Sequence, residues 1–231
     1  ADNVRAYLSL ARYVQRDDLT DGQVRRLADR AVDEAADALR PYGYYDPQVR
    51  SRTTRDGATW IVRLRIKPGD PVLMREVDVS ITGQGSKDPE IGLVATGNQL
   101  RSGERLDHAA YEKLKKDLAR TALERGYLDA TLTRHELLVD PPQHVADMHL
   151  QLDTGGRYEF GKVTIEQDAI DPKLLQGFIR FTEGQPFSGE RIRNTQFALE
   201  DSYYFSNVTV TPGERDPATL TVPVTIRAVR I

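Results

Sequence analysis

A chain of 231 residues carrying 32 Lys+Arg against 35 Asp+Glu has a formal net charge of −3, so it offers no overall basic field for a phosphate backbone, and nucleic acid is not an expected partner. It contains no cysteine, which removes disulfides, cysteine-ligated zinc and thiol nucleophiles together; the absence suits the periplasm but leaves the compartment open. Its apolar runs, such as Leu137-Leu138-Val139, fall far short of the about 20 residues of a spanning helix, and no signal-peptide pattern opens it, so a soluble chain is expected.

In chain order, Asn3 to Arg12 reads as a short helix. A capping-box pattern at Thr20 and Gln23 then starts a longer one with the apolar set Val24, Leu27, Ala31, Ala35 and Leu39. Strands over Gln48 to Arg55 and Thr59 to Ile66 follow, joined by the turn signal Asp56-Gly57. Beyond Lys67-Pro68-Gly69-Asp70-Pro71, Val72 to Ile81 has strand alternation, a short helix runs from Asp88-Pro89 to Gly97, and a long one from Asp107 to Arg125 ends at Gly126. Strands over Leu128 to Val139 and Val145 to Leu152 complete the order βααββ. The same order recurs as Tyr158 to Ile165, helices near Asp171 to Ile179 and Ser188 to Asp201, and strands near Ser206 to Thr211 and Leu220 to Ala228. Tyr158, Phe160 and Val163 align with Val72, Met74 and Val77.

Tyr44, Tyr127 and Tyr204 mark a repeat of about 80 residues, too long for a solenoid unit and right for a small domain. The reading is an α+β chain of three βααββ modules, each a small mixed sheet covered by two helices, with boundaries at 1–68, 69–155 and 156–231. The first module lacks its opening strand. The joints are too short to be flexible tethers.

Tandem βααββ modules with a Gly-Tyr pair after the long helix resemble POTRA (polypeptide-transport-associated) domains of the Omp85 superfamily, over essentially the whole chain. Within it, Asn3-Val4-Arg5-Ala6-Tyr7-Leu8-Ser9, Gly43-Tyr44-Tyr45 with Pro47, and Arg157-Tyr158-Glu159-Phe160-Gly161-Lys162-Val163-Thr164 are most similar to the TamA family. That resemblance implies a non-enzymatic periplasmic arm of a Gram-negative outer-membrane protein. It further implies a C-terminal β-barrel, an inner-membrane-anchored TamB-like partner and outer-membrane clients, with roles in autotransporter assembly or lipid transfer. The barrel and the first opening strand are expected outside this sequence. Arms of a barrel-assembly factor or a two-partner secretion pore are the alternatives within the superfamily; an enzyme or RNA-binding array of small α/β modules is the alternative outside it.

No catalytic, cofactor or metal site is expected. His108, His135, His144 and His149 lack ligand spacing, His135-Glu136 has Val139 where a metalloprotease helix needs its second histidine, and Gly83-Gln84-Gly85 is a turn without a dinucleotide-binding unit. Gly43, Gly126 and the tyrosines Tyr44, Tyr127 and Tyr204 read as a structural motif, the glycine ending a helix and the tyrosine folding back over its own module's core. Tyr42 and Tyr45 are the better candidates for a surface contact. The edge strand Gln48-Val49-Arg50-Ser51-Arg52-Thr53 is the candidate for strand addition, its arginines either guarding the edge or orienting an acidic incoming strand. With one side of Thr59 to Ile66 uncovered, the first module is expected to be the least protected against hydrogen exchange.

Overall fold

Strand alternation organises three separate sheets in the computed structural model, which describes residues 2–230. The first has two strands, β1 (Gln48–Asp56) and β2 (Thr59–Lys67). The second has the order β3-β5-β4, from β3 (Leu73–Thr82), β4 (Thr131–Asp140) and β5 (Val145–Asp153); the third has the order β6-β8-β7, from β6 (Glu159–Glu166), β7 (Phe205–Pro212) and β8 (Thr221–Arg230). The hairpin's first strand, β4 or β7, is therefore an edge in both three-stranded sheets. The helices are α1 (Asp2–Tyr7), α2 (Asp21–Asp37), α3 (Pro89–Thr96), α4 (His108–Glu124), α5 (Pro172–Gln176) and α6 (Gly189–Glu200). The fold is thus α+β, with three small sheets each packed with helices.

The chain divides into two compact units. One runs up to Asp78 and includes Gln99–Lys113 and Glu136–His149; the other holds Val79–Asn98, Leu114–His135 and the chain from Leu150 onward.

In the first unit, the capping box forms as expected: the Thr20 hydroxyl accepts from the Gln23 amide, and the Gln23 side chain accepts from the Thr20 amide at 2.8 Å. The helix buries Val24, Ala28, Ala31 and Ala35, whereas Leu27 and Leu39 are half-buried. Small side chains hold the inward stripe and the leucines lie at its margin. Leu8 splits the expected Asn3 to Arg12 helix into α1 and a 3₁₀ turn over Ser9–Tyr13. Trp60, Val62, Leu64 and Ile66 share one face of β2, but all are half-buried. Since each buried methylene is worth about 0.8 kcal/mol, a valine-and-alanine core gives this part little stability of its own.

The second unit is built around larger side chains. Tyr158, Phe160, Leu175, Phe181, Phe187, Leu199 and Ile226 belong to one buried cluster, with Phe160 stacked on Phe181 at 4.2 Å between ring centroids. Val222, Val224, Ile226 and Ala228 alternate inward along β8, as a strand covered on one face requires. On β7 a bulge between Phe205 and Asn207 shifts the parity, which lets both Phe205 and Val208 point inward. The strand expected from Leu128 begins later, at Thr131, because the Ala130 amide donates to the Tyr127 carbonyl and makes a turn.

Candidate functional site

β1 and β2 pair without interruption over nine positions, from Gln48↔Lys67 to Asp56↔Thr59. The loop is therefore Gly57-Ala58, one residue later than the expected Asp56-Gly57, with Gly57 supplying a positive φ of 59° at its first position. A two-residue loop is closed by a pair that exchanges both backbone hydrogen bonds, and antiparallel pairs alternate from there. The backbone groups of Gln48, Arg50, Arg52 and Thr54 accordingly face β2, and those of Val49, Ser51 and Thr53 face outward along the free edge. The corresponding edge β7 carries a bulge and Pro212; β1 carries neither.

Side chains divide by parity. Val49, Ser51, Thr53 and Arg55 share a face with Trp60, Val62, Leu64 and Ile66, and there Arg55 lies over the Trp60 ring at 5.0 Å and pairs with Asp21 of α2 at 3.7 Å. The opposite face carries Gln48, Arg50, Arg52 and Thr54 beside Ile61, Arg63, Arg65 and Lys67. All five of its cations are exposed.

The aromatic candidates sit elsewhere. Tyr42 is half-buried, its hydroxyl accepting from the Asn3 amide side chain. Tyr45 is half-buried as well, and its hydroxyl meets His108 Nε2 at 2.7 Å. The structure thus separates Tyr42 and Tyr45 from a freely exposed patch and engages both in contacts within their own unit.

Gly43 and Gly126 do more than end helices. Each adopts a left-handed conformation, φ 84° and 92°, and each carbonyl receives the first amide of the next repeat: Val72 to Gly43 at 2.7 Å, Tyr158 to Gly126 at 2.8 Å. The pattern continues identically. The Val72 carbonyl accepts from Leu106 and Met74 donates to Glu104, just as the Tyr158 carbonyl accepts from Phe187 and Phe160 donates to Gln185. A Cβ on Gly43 would stand 2.8 Å from the Leu106 carbonyl, and one on Gly126 2.8 Å from that of Phe187. Glycine is required at both seats.

The tyrosines after these glycines differ from one another. Tyr127 is buried and donates to Asp88 at 3.2 Å, with Arg157 over its ring at 5.6 Å. Tyr44 instead is half-buried and covered by Arg105 at 5.5 Å, which also donates to its hydroxyl at 3.2 Å. Tyr204 is 45% exposed. Folding back over a core therefore describes Tyr127, while Tyr44 is tied to the following repeat and Tyr204 stands at the surface. Periodicity could not show this, because the deciding contacts come from residues some 30 to 60 positions away along the chain.

Two titratable groups support these joints. Burial works to raise the Asp88 carboxyl, but the hydrogen bond and charge of Arg125, 3.1 Å away, together with the Glu90 amide and Tyr127 hydroxyl, outweigh it and hold the group below the usual carboxylate range. His108 is pushed down by burial, against the smaller opposing pull of Asp107 and Glu112. A histidine depressed in the folded state is protonated more readily in the unfolded chain, so its contribution is complete above about pH 6.5 and is lost as pH falls toward the folded value. Urea denaturation of the chain at pH 7.5 and 5.5 should therefore show the first unit weakening on acidification, and His108→Gln should flatten that component.

Among the described residues there is no group of three or more His, Asp or Glu side chains placed to hold a metal ion, and no helix long and apolar enough to cross a membrane. Residues 1–68 match the family model described as POTRA domain TamA domain 1, and residues 158–228 match POTRA, described as surface antigen variable number repeat. Solved structures of similar fold include BamA from Haemophilus ducreyi lacking POTRA domains 1–3, at 15% identity over 69% of this chain and 29% of that chain, with a TM-score of 0.52. POTRA domains 3–5 of Haemophilus influenzae BamA match at 16% identity over 87% of this chain and 80% of that chain, TM-score 0.47. CdiB from Acinetobacter baumannii matches at 12% identity over 70% and 30%, TM-score 0.41. The chain spans less than a third of the H. ducreyi and A. baumannii proteins. POTRA domains 1–3 of the periplasmic domain of Omp85 from Anabaena also match, at 15% identity over 88% of this chain and 82% of that chain, TM-score 0.40. With three helix-packed sheets, a shared joint, and POTRA family models matching its first and last repeats, the chain belongs to the POTRA-domain proteins.

Proposed function

We propose that this chain is the periplasmic recruitment arm of a TamA-type outer-membrane assembly machine in a Gram-negative envelope. It acts without catalysis, as three POTRA modules over residues 1–68, 69–155 and 156–231. It recruits an inner-membrane-anchored partner of the TamB type, or an outer-membrane client, by strand addition along β1. The observation that carries the reading is that the module matching the TamA-type model also bears an uninterrupted nine-residue edge with outward backbone groups at Val49, Ser51 and Thr53. Such an edge gives affinity through the main chain and leaves specificity to alternate side chains.

Ser51→Pro tests it. Proline removes the outward amide of Ser51 and leaves the bonds to β2 in place, a substitution edge strands accept. Affinity for the periplasmic region of a TamB-type partner should fall about tenfold, the equivalent of one net hydrogen bond, while Ser51→Ala leaves it unchanged and both variants retain the parent circular dichroism. Unchanged affinity in Ser51→Pro would exclude this edge as the docking strand.

A further inference from the structure

The outer face of the first sheet concentrates cations that the fold leaves unpaired. Arg50 stands directly opposite Arg65 and Arg52 opposite Arg63, with Lys67 opposite Gln48 at the end of the ladder. Like charges directly opposite each other across a ladder are destabilising. Asp56, exposed at the hairpin end, is the acidic residue sharing the face, and none of the five cations forms a salt bridge among the described residues. On the helix side of the same sheet, Arg55 does find a carboxylate. The other two sheets carry cross-strand ion pairs, Arg75 with Asp147 and Arg227 with Glu166 at 2.6 Å.

Edge protection explains Arg50 and Arg52, which flank the free side of β1, but not Arg63, Arg65 and Lys67 on the neighbouring strand. A segment added beside β1 would carry every second side chain on this face, a few ångströms from Arg50 and Arg52 and within a Debye length of about 10 Å from the β2 cations. Its alternate side chains would meet Val49, Ser51 and Thr53, which call for small or apolar groups. We infer that this face selects an extended protein segment with carboxylates at alternate positions, using Arg63 and Arg65 as well as the two arginines of the edge. The inference rests on strand addition at β1 and names the chemistry of the strand added.

The test is fluorescence anisotropy with two labelled nine-residue peptides, Thr-Glu-Val-Glu-Val-Glu-Val-Glu-Thr and its counterpart with glutamine at every glutamate. At 50 mM salt the glutamate peptide should bind about tenfold more tightly, and the preference should shrink to about twofold at 300 mM salt or in Arg63→Gln/Arg65→Gln. Those substitutions relieve cross-strand repulsion, so the double variant should melt no lower than the parent, which separates lost selection from lost folding. Equal binding of the two peptides to the parent at 50 mM salt would overturn the inference. Ser51→Pro should weaken both peptides; if it weakens neither while the glutamate preference persists, strand addition fails and the anion-selective face stands. Co-sedimentation with phosphatidylglycerol vesicles that is abolished in Arg63→Gln/Arg65→Gln, without any peptide preference, would assign the face to a membrane surface and overturn the inference.

Discussion

Gly126→Ala should destabilise the second unit by about 3 kcal/mol, with a left-handed alanine costing about 1 to 2 kcal/mol and forced overpacking a similar amount. The glycine sits at φ 92°, and its added methyl would press on the Phe187 and Tyr158 carbonyls, at 2.8 and 3.2 Å. Both carbonyls belong to the segments that seat the first strand of the last repeat. Neither can withdraw without disturbing the bonds from Tyr158 to Gly126 and from Phe187 to Tyr158. Tyr203 supplies the opposite sign. It occupies the equivalent place after α6 with φ 61° and 83% exposure, so Tyr203→Gly should relieve strain and stabilise the unit by up to about 1 kcal/mol. Urea denaturation followed by tyrosine fluorescence and circular dichroism distinguishes the two. A loss below 0.5 kcal/mol for Gly126→Ala, roughly the range of an ordinary surface change, would show that the joint does not depend on this seat.

Phe160→Ala should cost about 4 kcal/mol, within the range for truncating a buried phenylalanine. Its ring stacks on Phe181 at 4.2 Å and lies 5.0 Å from Phe187, so truncation opens a cavity bordered by two further aromatic rings. A module of this size has little stability in reserve, so the variant should lose the cooperative unfolding of the last repeat at 37 °C. Val24→Ala, in the thin core under α2, should cost no more than about 2 kcal/mol, the transfer free energy of two methylenes. A milder effect at Phe160 than at Val24 would reverse the ranking of the two cores.

The repeat was legible because it is written in residues with local consequences. Thr20 and Gln23 announce a helix start, Gly43 and Gly126 a left-handed stop, and the paired positions of Met74 and Phe160 mark the same inward point on two opening strands. What escaped the sequence was long-range. The seating of Val72 on Gly43, the capture of Tyr44 by Arg105 and the engagement of Tyr45 by His108 all depend on which distant segment the fold brings alongside. The hairpin shows the same limit at short range. Asp56-Gly57 signals a turn, but only the ladder decides that Asp56 remains in the strand, and that one-residue choice determines that Ser51, and not Arg50, presents its amide to the edge.

The most direct test of the account is site-specific photocrosslinking in the intact envelope, with the crosslinking residue placed in turn at Arg50 and Arg52 on β1 and at Arg26, Asp29 and Asp33 on the exposed side of α2. Strand addition predicts adducts to a periplasmic partner from the two β1 positions, lost when Ser51→Pro is combined with them. Adducts confined to the α2 positions, with none from β1, would contradict it.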